Sequence, residues 1–212
     1  MVKSLTKQDK QKISAAITEA EKATSAEIVL VVAETSDTYQ DYVLLVALAV
    51  SGLPAGILWT ENLLTEFPYL FIVQLVVIAL FSFVPVLRNF CIRFVPKRIQ
   101  HYRAAHRAYG EYINISQNIP ATVPVLIFYI SIAEHYAHIV AGRLVHEKMP
   151  NETWDSIIDE FAKRITTKDL AEACIEATQN ITSKLAQYFP AENTKNYISD
   201  EVIIPEILNP KT

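Results

Sequence analysis

Two long uncharged segments constrain the fold of this chain more than any other feature. Residues 42–59 and 67–87 contain 18 and 21 residues without a charged side chain, and the sequence TENLLTE separates them. At about 1.5 Å of rise per residue, each segment as a helix approaches the roughly 30 Å thickness of the hydrocarbon core of a bilayer. The pattern therefore predicts a transmembrane helical hairpin over residues 42–87. The alternative is a pair of buried core helices, but the rest of the chain is short for surrounding them.

Charged residues around these segments predict a membrane orientation. The chain is 51% hydrophobic, and its mean hydropathy is +0.20. Residues 1–26 lack the apolar core of a cleaved signal peptide, whereas basic residues cluster after the second segment at Arg88, Arg93, Lys97, Arg98, Arg103 and Arg107. By the positive-inside rule, we expect an integral protein of a bacterial-type inner membrane, with its soluble domain and both termini in the cytoplasm.

The rest of the chain predicts a small α/β domain. AEIVLVVAE, PVLIFYISIA and HYAHIVAG are short β-branched runs typical of buried strands. Helical patterns precede the first run, lie between the membrane segments and the second run, and follow the third. We expect the first two strands to pair in parallel and the last two to form an antiparallel hairpin, because only a short turn separates them.

The predicted fold is therefore an α/β sandwich of about three strands with helices, interrupted by a two-span hairpin. Residues 1–41 and 88–189 would form the cytoplasmic domain, and residues 42–59 and 67–87 would be the two spans. From Pro190 the apolar periodicity ends, which indicates an extended or disordered tail over residues 190–212.

Polar residues follow the first two predicted strands. Since parallel strands bring their carboxyl ends to one edge, Glu34, Glu134 and His135 should gather there, near Arg88 and Arg93. Ligands of open α/β sheets bind beyond the carboxyl ends of strands. This edge is the predicted site for a lipid headgroup or a membrane protein, and the alternative is a set of solvated turn charges.

The sequence contains no motif for metal binding, phosphate binding or nucleophilic catalysis. His135, His138 and His146 lie close together, but residues three apart on a strand point to opposite faces, so we predict no metal site there. Neither a phosphate-binding glycine loop nor a GxSxG nucleophile motif occurs. The basic stretch KRIQHYRAAHR directly follows a predicted span, so we expect it to face a membrane surface and predict no nucleic-acid partner.

Two segments carry a family resemblance. LTKQDKQKISAAITEAEKATSAEIVLVV resembles the opening helix and strand of the TPM domain family, and VPVLIFYISIAEHYAHIVAGRLVHEKMPNETWDSIIDEF resembles its strand hairpin and following helix. The family is a small α/β module associated with photosystem repair proteins and with a receptor modulator. Some plant members are described as acid phosphatases, and some members bind divalent ions at acidic loops.

The resemblance implies two functional readings. The first is a membrane-anchored interaction or assembly module that binds a membrane protein or an anionic lipid, without a cofactor. The alternative is a metal-dependent acid phosphatase, in which Glu27, Glu34 and Glu134 would hold a divalent cation. The loop NISQNIPATVP and the Gly142 position both depart from the family pattern, which disfavours the phosphatase. The sequence assigns no catalytic residue.

Overall fold

The computed structural model describes residues 5–60, 67–84, 86–87, 90, 94–150, 152–167, 169–191, 197–198 and 202–205. Two compact units make up the chain: residues 1–36 together with 101–212, and residues 37–100. In the described part there are three strands, β1 (Glu27–Ala33), β2 (Val125–Ser131) and β3 (Tyr136–Ala141). The helices are α1 (Lys7–Glu21), α2 (Gln40–Thr60), α3 (Phe67–Phe83), α4 (Lys97–Ser116), α5 (Arg143–Lys148), α6 (Glu152–Thr167) and α7 (Leu170–Tyr188).

The sheet has the order β1-β2-β3. β1 and β2 are parallel, with Glu27 opposite Val125, whereas β2 and β3 are antiparallel, with Leu126 opposite Ala141. Every residue of β1 and β2 is buried, as expected for continuous β-branched runs covered on both faces. The predicted strand pairings are the ones that the structure contains.

Helices cover the two faces of the sheet unequally. Alternate residues of β1 and β2, among them Leu30 and Phe128, pack into a large core with α1, α6 and α7, where Phe128 contacts Phe161 edge to face at 5.1 Å between ring centroids. The opposite residues, among them Val31 and Tyr129, form a smaller core with α4 through Ala108. The period-2 alternation of a strand produces this division.

The C-terminal segment pairs with the outer edge of β1. Ile203 forms a parallel bridge with Val31. The Ile203 N–H donates to the Leu30 carbonyl at 3.0 Å, and the Val32 N–H donates to the Ile203 carbonyl at 2.9 Å. Part of the region that the sequence predicts as an extended tail therefore continues the sheet.

In the second unit, α2 and α3 pack against each other. Ser51 of α2 is fully buried, and its hydroxyl donates to the Leu48 carbonyl at 3.0 Å. Large apolar side chains nevertheless remain exposed on both helices; they include Leu45 at 62%, Leu53 at 70%, Ile57 at 61% and Ile72 at 54% of their surface.

The predicted transmembrane hairpin is wrong. Among the residues that the structure describes, no helix combines the length and the apolar character needed to cross a membrane. α3 ends at Phe83 after 17 residues, a rise of about 25 Å against the roughly 30 Å hydrocarbon core. α2 starts with the polar Gln40 and Asp41, and Ser51, Gly52 and Gly56 interrupt its apolar run. The predicted placement as an integral membrane protein is wrong for the same reason.

Two glycines offer a matched test of the packing. A Cβ on Gly142 would lie 2.9 Å from both the Tyr112 hydroxyl oxygen and the backbone oxygen of Val125, whereas a Cβ on Gly110 would meet nothing within 4 Å. We expect Gly142→Ala to lower the free energy of unfolding by about 1–3 kcal/mol through overpacking. Gly110→Ala, inside α4, should raise it by about 0.5–1 kcal/mol. Urea denaturation of both variants measures the difference, and equal shifts would contradict the close approach at Gly142.

Candidate functional site

The loops that follow β1 and β2 run side by side beyond the strands. The Ile132 N–H donates to the Ala33 carbonyl and the Ala133 N–H donates to the Glu34 carbonyl, both at 3.0 Å. Parallel pairing thus continues for two residues past the end of β2 and for one residue past the end of β1. This extension brings the segment from Glu34 to Ser36 against the β2–β3 turn.

The carboxylate of Glu134 is the centre of a buried polar cluster. Its side chain is only 1% exposed. One oxygen, Oε1, accepts hydrogen bonds from the Thr35 hydroxyl at 2.9 Å and from the Ser36 backbone N–H at 3.0 Å. The other oxygen, Oε2, accepts a hydrogen bond from the Ser131 hydroxyl. Since a buried carboxylate is costly unless donors surround it, these three donors explain how the sheet accommodates Glu134.

Two further hydroxyls extend the cluster into the sheet. The Ser36 hydroxyl donates to the Ser131 hydroxyl at 2.8 Å, and it lies 2.9 Å from the Tyr129 hydroxyl. Burial raises the pKa of Tyr129; the bond with Ser36 opposes this rise, and the nearby Glu134 charge adds to it. Tyr129 therefore stays a neutral phenol at physiological pH, able to both donate and accept hydrogen bonds.

A four-residue turn joins β2 to β3 and places His135 at the surface. The His135 N–H donates to the Ile132 carbonyl at 3.3 Å. His135 has a φ of 52°, in the left-handed region that histidine adopts more often than most residues. Its side chain is exposed, directly beside the buried Glu134.

Three of the five predicted site residues lie together at the carboxyl edge of the sheet. Glu34 and His135 are exposed at the carboxyl edge of the sheet, while Glu134 is buried beneath them. Arg88 and Arg93 lie outside the described residues, so the basic half of the predicted site stays a prediction. The cluster also contains four residues that were not predicted from the sequence: Thr35, Ser36, Ser131 and Tyr129. The parallel register could have indicated them, because it pairs Ser131 with Ala33 and so brings the residues after both strands together.

The three glutamates predicted as possible metal ligands lie at opposite ends of the sheet. Glu27 is buried at the amino end of β1 and accepts a hydrogen bond from the Tyr197 N–H at 3.0 Å, whereas Glu34 and Glu134 follow the carboxyl ends of β1 and β2. In the described part of the chain, no group of three or more His, Cys, Asp or Glu side chains is arranged to hold a metal ion.

Comparisons with known proteins support the fold alone. No family model matches the sequence, and no curated protein matches it. A solved structure is similar: the NMR structure of BA42 protein from the psychrophilic bacterium Bizionia argentinensis sp. nov.. Its sequence is 13% identical, its TM-score is 0.59, and the similarity covers 96% of this chain and 97% of that chain. The TPM resemblance therefore stays a prediction.

The hydrogen bonds of Glu134 predict a structural effect on substitution. Glu134→Ala removes the acceptor of three buried or half-buried donors, and we expect the free energy of unfolding to fall by about 2–4 kcal/mol. Glu134→Gln should lose less, because an amide oxygen still accepts hydrogen bonds. Glu34→Ala is the control; its exposed side chain should change stability by less than about 0.5 kcal/mol. Urea denaturation tests the order, and a Glu134→Ala variant as stable as the control would contradict it.

Proposed function

We propose that this protein is an interaction or assembly module that binds another protein through the apolar surface of α2 and α3. The exposed side chains of these helices carry the proposal. On α2, Leu45 is 62% exposed, Leu53 is 70% exposed and Ile57 is 61% exposed. On α3, Phe71, Ile72, Leu75 and Val76 are each more than half exposed.

Contiguous exposed apolar surface is unusual unless a partner covers it. Monomeric soluble proteins rarely expose large apolar patches, and such patches mark sites of interaction. Each leucine or isoleucine that a partner buries contributes roughly 1.5–3 kcal/mol of transfer free energy. Polar or charged partner surfaces would gain none of this energy. The expected partner is therefore a protein with an apolar surface of its own.

The bonding of Glu134 argues against the phosphatase alternative. A carboxylate that holds a divalent cation needs lone pairs directed at the ion. Both oxygens of Glu134 instead accept hydrogen bonds from Thr35, Ser36 and Ser131, and the side chain is buried. Glu27 lies at the opposite end of β1 and cannot join it. The anionic-lipid partner stays a prediction, because it depends on Arg88 and Arg93.

A paired substitution tests the proposed surface. The double variant Leu45→Gln with Leu53→Gln replaces two of the most exposed apolar side chains by polar ones of similar size. Proteins captured from cells after cross-linking should fall at least tenfold in amount with this variant, because the apolar contact is lost. The control is Ile113→Gln, a 56% exposed isoleucine of α4, which should capture the same partner at wild-type level.

Three outcomes would contradict the proposal that α2 and α3 bind another protein. If both variants capture the partner equally, α2 and α3 do not bind it. If sedimentation shows that the purified chain self-associates through Leu45 and Leu53, the surface serves a second copy instead. Turnover of an artificial phosphate ester that requires added divalent cation and disappears in Glu134→Gln would favour the phosphatase.

A further inference from the structure

Among the described residues, no strand lies beyond β3, which therefore forms an open edge of the sheet. The Gly142 N–H donates to the Val125 carbonyl at 2.8 Å, and this bond fixes the alternation of the antiparallel ladder. Backbone groups point toward β2 at every second residue before Gly142, and these residues include Val140 and His138. Ala137, Ile139 and Ala141 direct theirs away from it, and within the described part of the chain these outward groups make no backbone hydrogen bond.

The opposite edge of the same sheet is already covered by an added segment. Ile203 lies against β1 and exchanges two backbone hydrogen bonds with it. An uncovered edge strand is a template for pairing, and proteins blunt such edges with proline, lysine or a bulge. β3 has the sequence YAHIVA, which contains neither proline nor lysine, and its register with β2 runs from Tyr136 to Ala141 without a bulge. Its edge is therefore competent to accept another strand.

Two cavities extend along the full length of β3. One, of about 410 Å³, is lined by Tyr136 and Ala137, and the other, of about 500 Å³, is lined by the four residues from His138 to Ala141. Ile158 of α6 borders both cavities, so they are neighbours along β3. We call the two cavities together the β3 groove.

The two walls of the β3 groove differ in chemistry. Toward α4 the wall is polar and aromatic: the ring of Tyr136 is 5.2 Å from that of His101, and the ring of His138 is 5.9 Å from that of Tyr109. Burial lowers the pKa of His138, and the Asp155 charge opposes this shift. The imidazole and phenol groups of this wall each carry an N–H or O–H group that can donate a hydrogen bond.

Toward α6 the wall is mainly apolar. Ile158, Phe161, Ala162 and Ile165 line it, and Asp155 lies at its end nearer Trp154. Successive side chains of an extended peptide point to opposite sides. A peptide in the β3 groove would therefore present every second side chain to the apolar wall and the others to the donors of the α4 wall.

We propose that the β3 groove binds an extended peptide of another protein as an added antiparallel strand, and that this peptide alternates apolar with acidic side chains. The backbone of the peptide would bond to Ala137, Ile139 and Ala141. Its apolar side chains would contact Ile158 and its neighbours, and its carboxylates would accept hydrogen bonds from the α4 wall. The residues that line this groove do not belong to α2 or α3.

A single strand fits this groove better than a second copy of the chain. Added strands lie about 4.8 Å from their neighbours, and residues of both α4 and α6 stand beside β3 at that edge. A second copy would bring its own α4 and α6 to the same edge, and the two pairs of helices would collide. A peptide has no such helices.

The test uses an eight-residue peptide of alternating valine and glutamate and the isotope-labelled full chain. Hydrogen exchange followed by NMR should show at least tenfold slower exchange at the amides of Ala137, Ile139 and Ala141 when the peptide is present. The amides of His138 and Val140 already bond to β2, so they should change little. This contrast between neighbouring residues of one strand distinguishes strand addition from other binding.

Matched peptides provide the controls. A peptide with lysine in place of glutamate, and a peptide with four valines followed by four glutamates, should each bind at least tenfold more weakly. N-methylation of alternate peptide amides should abolish binding for the set that faces β3 and spare it for the other set. In the protein, Ala137→Pro removes one outward N–H without removing a bond to β2, and it should weaken binding at least tenfold while the other amide signals stay unchanged.

Three outcomes would overturn the proposal. The first is unchanged exchange at Ala137, Ile139 and Ala141 with every peptide. The second is binding of the lysine peptide as tightly as the glutamate peptide. The third is protection of these amides that grows with protein concentration in the absence of peptide, which would identify a second copy as the occupant. Because the Leu45 and Leu53 variant tests α2, either proposal can fail while the other holds.

Discussion

The parallel pairing of β1 with β2 is the interaction on which the rest of this structure depends. All fourteen residues of the two strands are buried, and their alternate side chains supply the middle of both hydrophobic cores. The pairing also continues past the strands through Ile132 and Ala133. The same ladder that fixes the cores therefore determines where the loops after β1 and β2 lie, and it brings Ser36 against Glu134.

Hydrophobic patterning predicts this ladder well. The β-branched run around Val31 and the run around Ile127 are short, continuous and bounded by polar residues, which is the pattern of strands buried on both faces. Topology then predicts that Glu34 and Glu134 meet at one edge. It does not predict which of them is buried. Which glutamate is buried depends on the hydroxyls of Thr35 and Ser131. Their orientation follows from the strand register, and no short sequence motif indicates it.

The same patterning gives the wrong answer for residues 42–87. Uncharged length alone suggests two spans, but a span also needs a helix of about 20 predominantly apolar residues. α3 ends at Phe83 after 17 residues, and no described helix has the length and apolar character that a span requires. A count of charges does not detect where a helix ends. Exposed apolar surface such as that of the α2 leucines is also typical of sites of protein interaction, and that is the basis of the proposal for α2 and α3.

The Glu134 cluster connects the buried ladder to the open edge of the sheet. Glu134 lies in the turn that begins β3, and its carboxylate joins that turn to the loop after β1 through Thr35 and Ser36. Removing this one acceptor would leave its three donors without a partner, which costs more than the hydrogen bonds themselves contribute. The carboxylate therefore holds the turn and the loop in one defined geometry. Fixing this turn fixes the start of β3, and hence the outward direction of Ala137, Ile139 and Ala141. An edge held in this way loses little conformational entropy when a strand is added, and preorganisation of that kind increases affinity without any new contact.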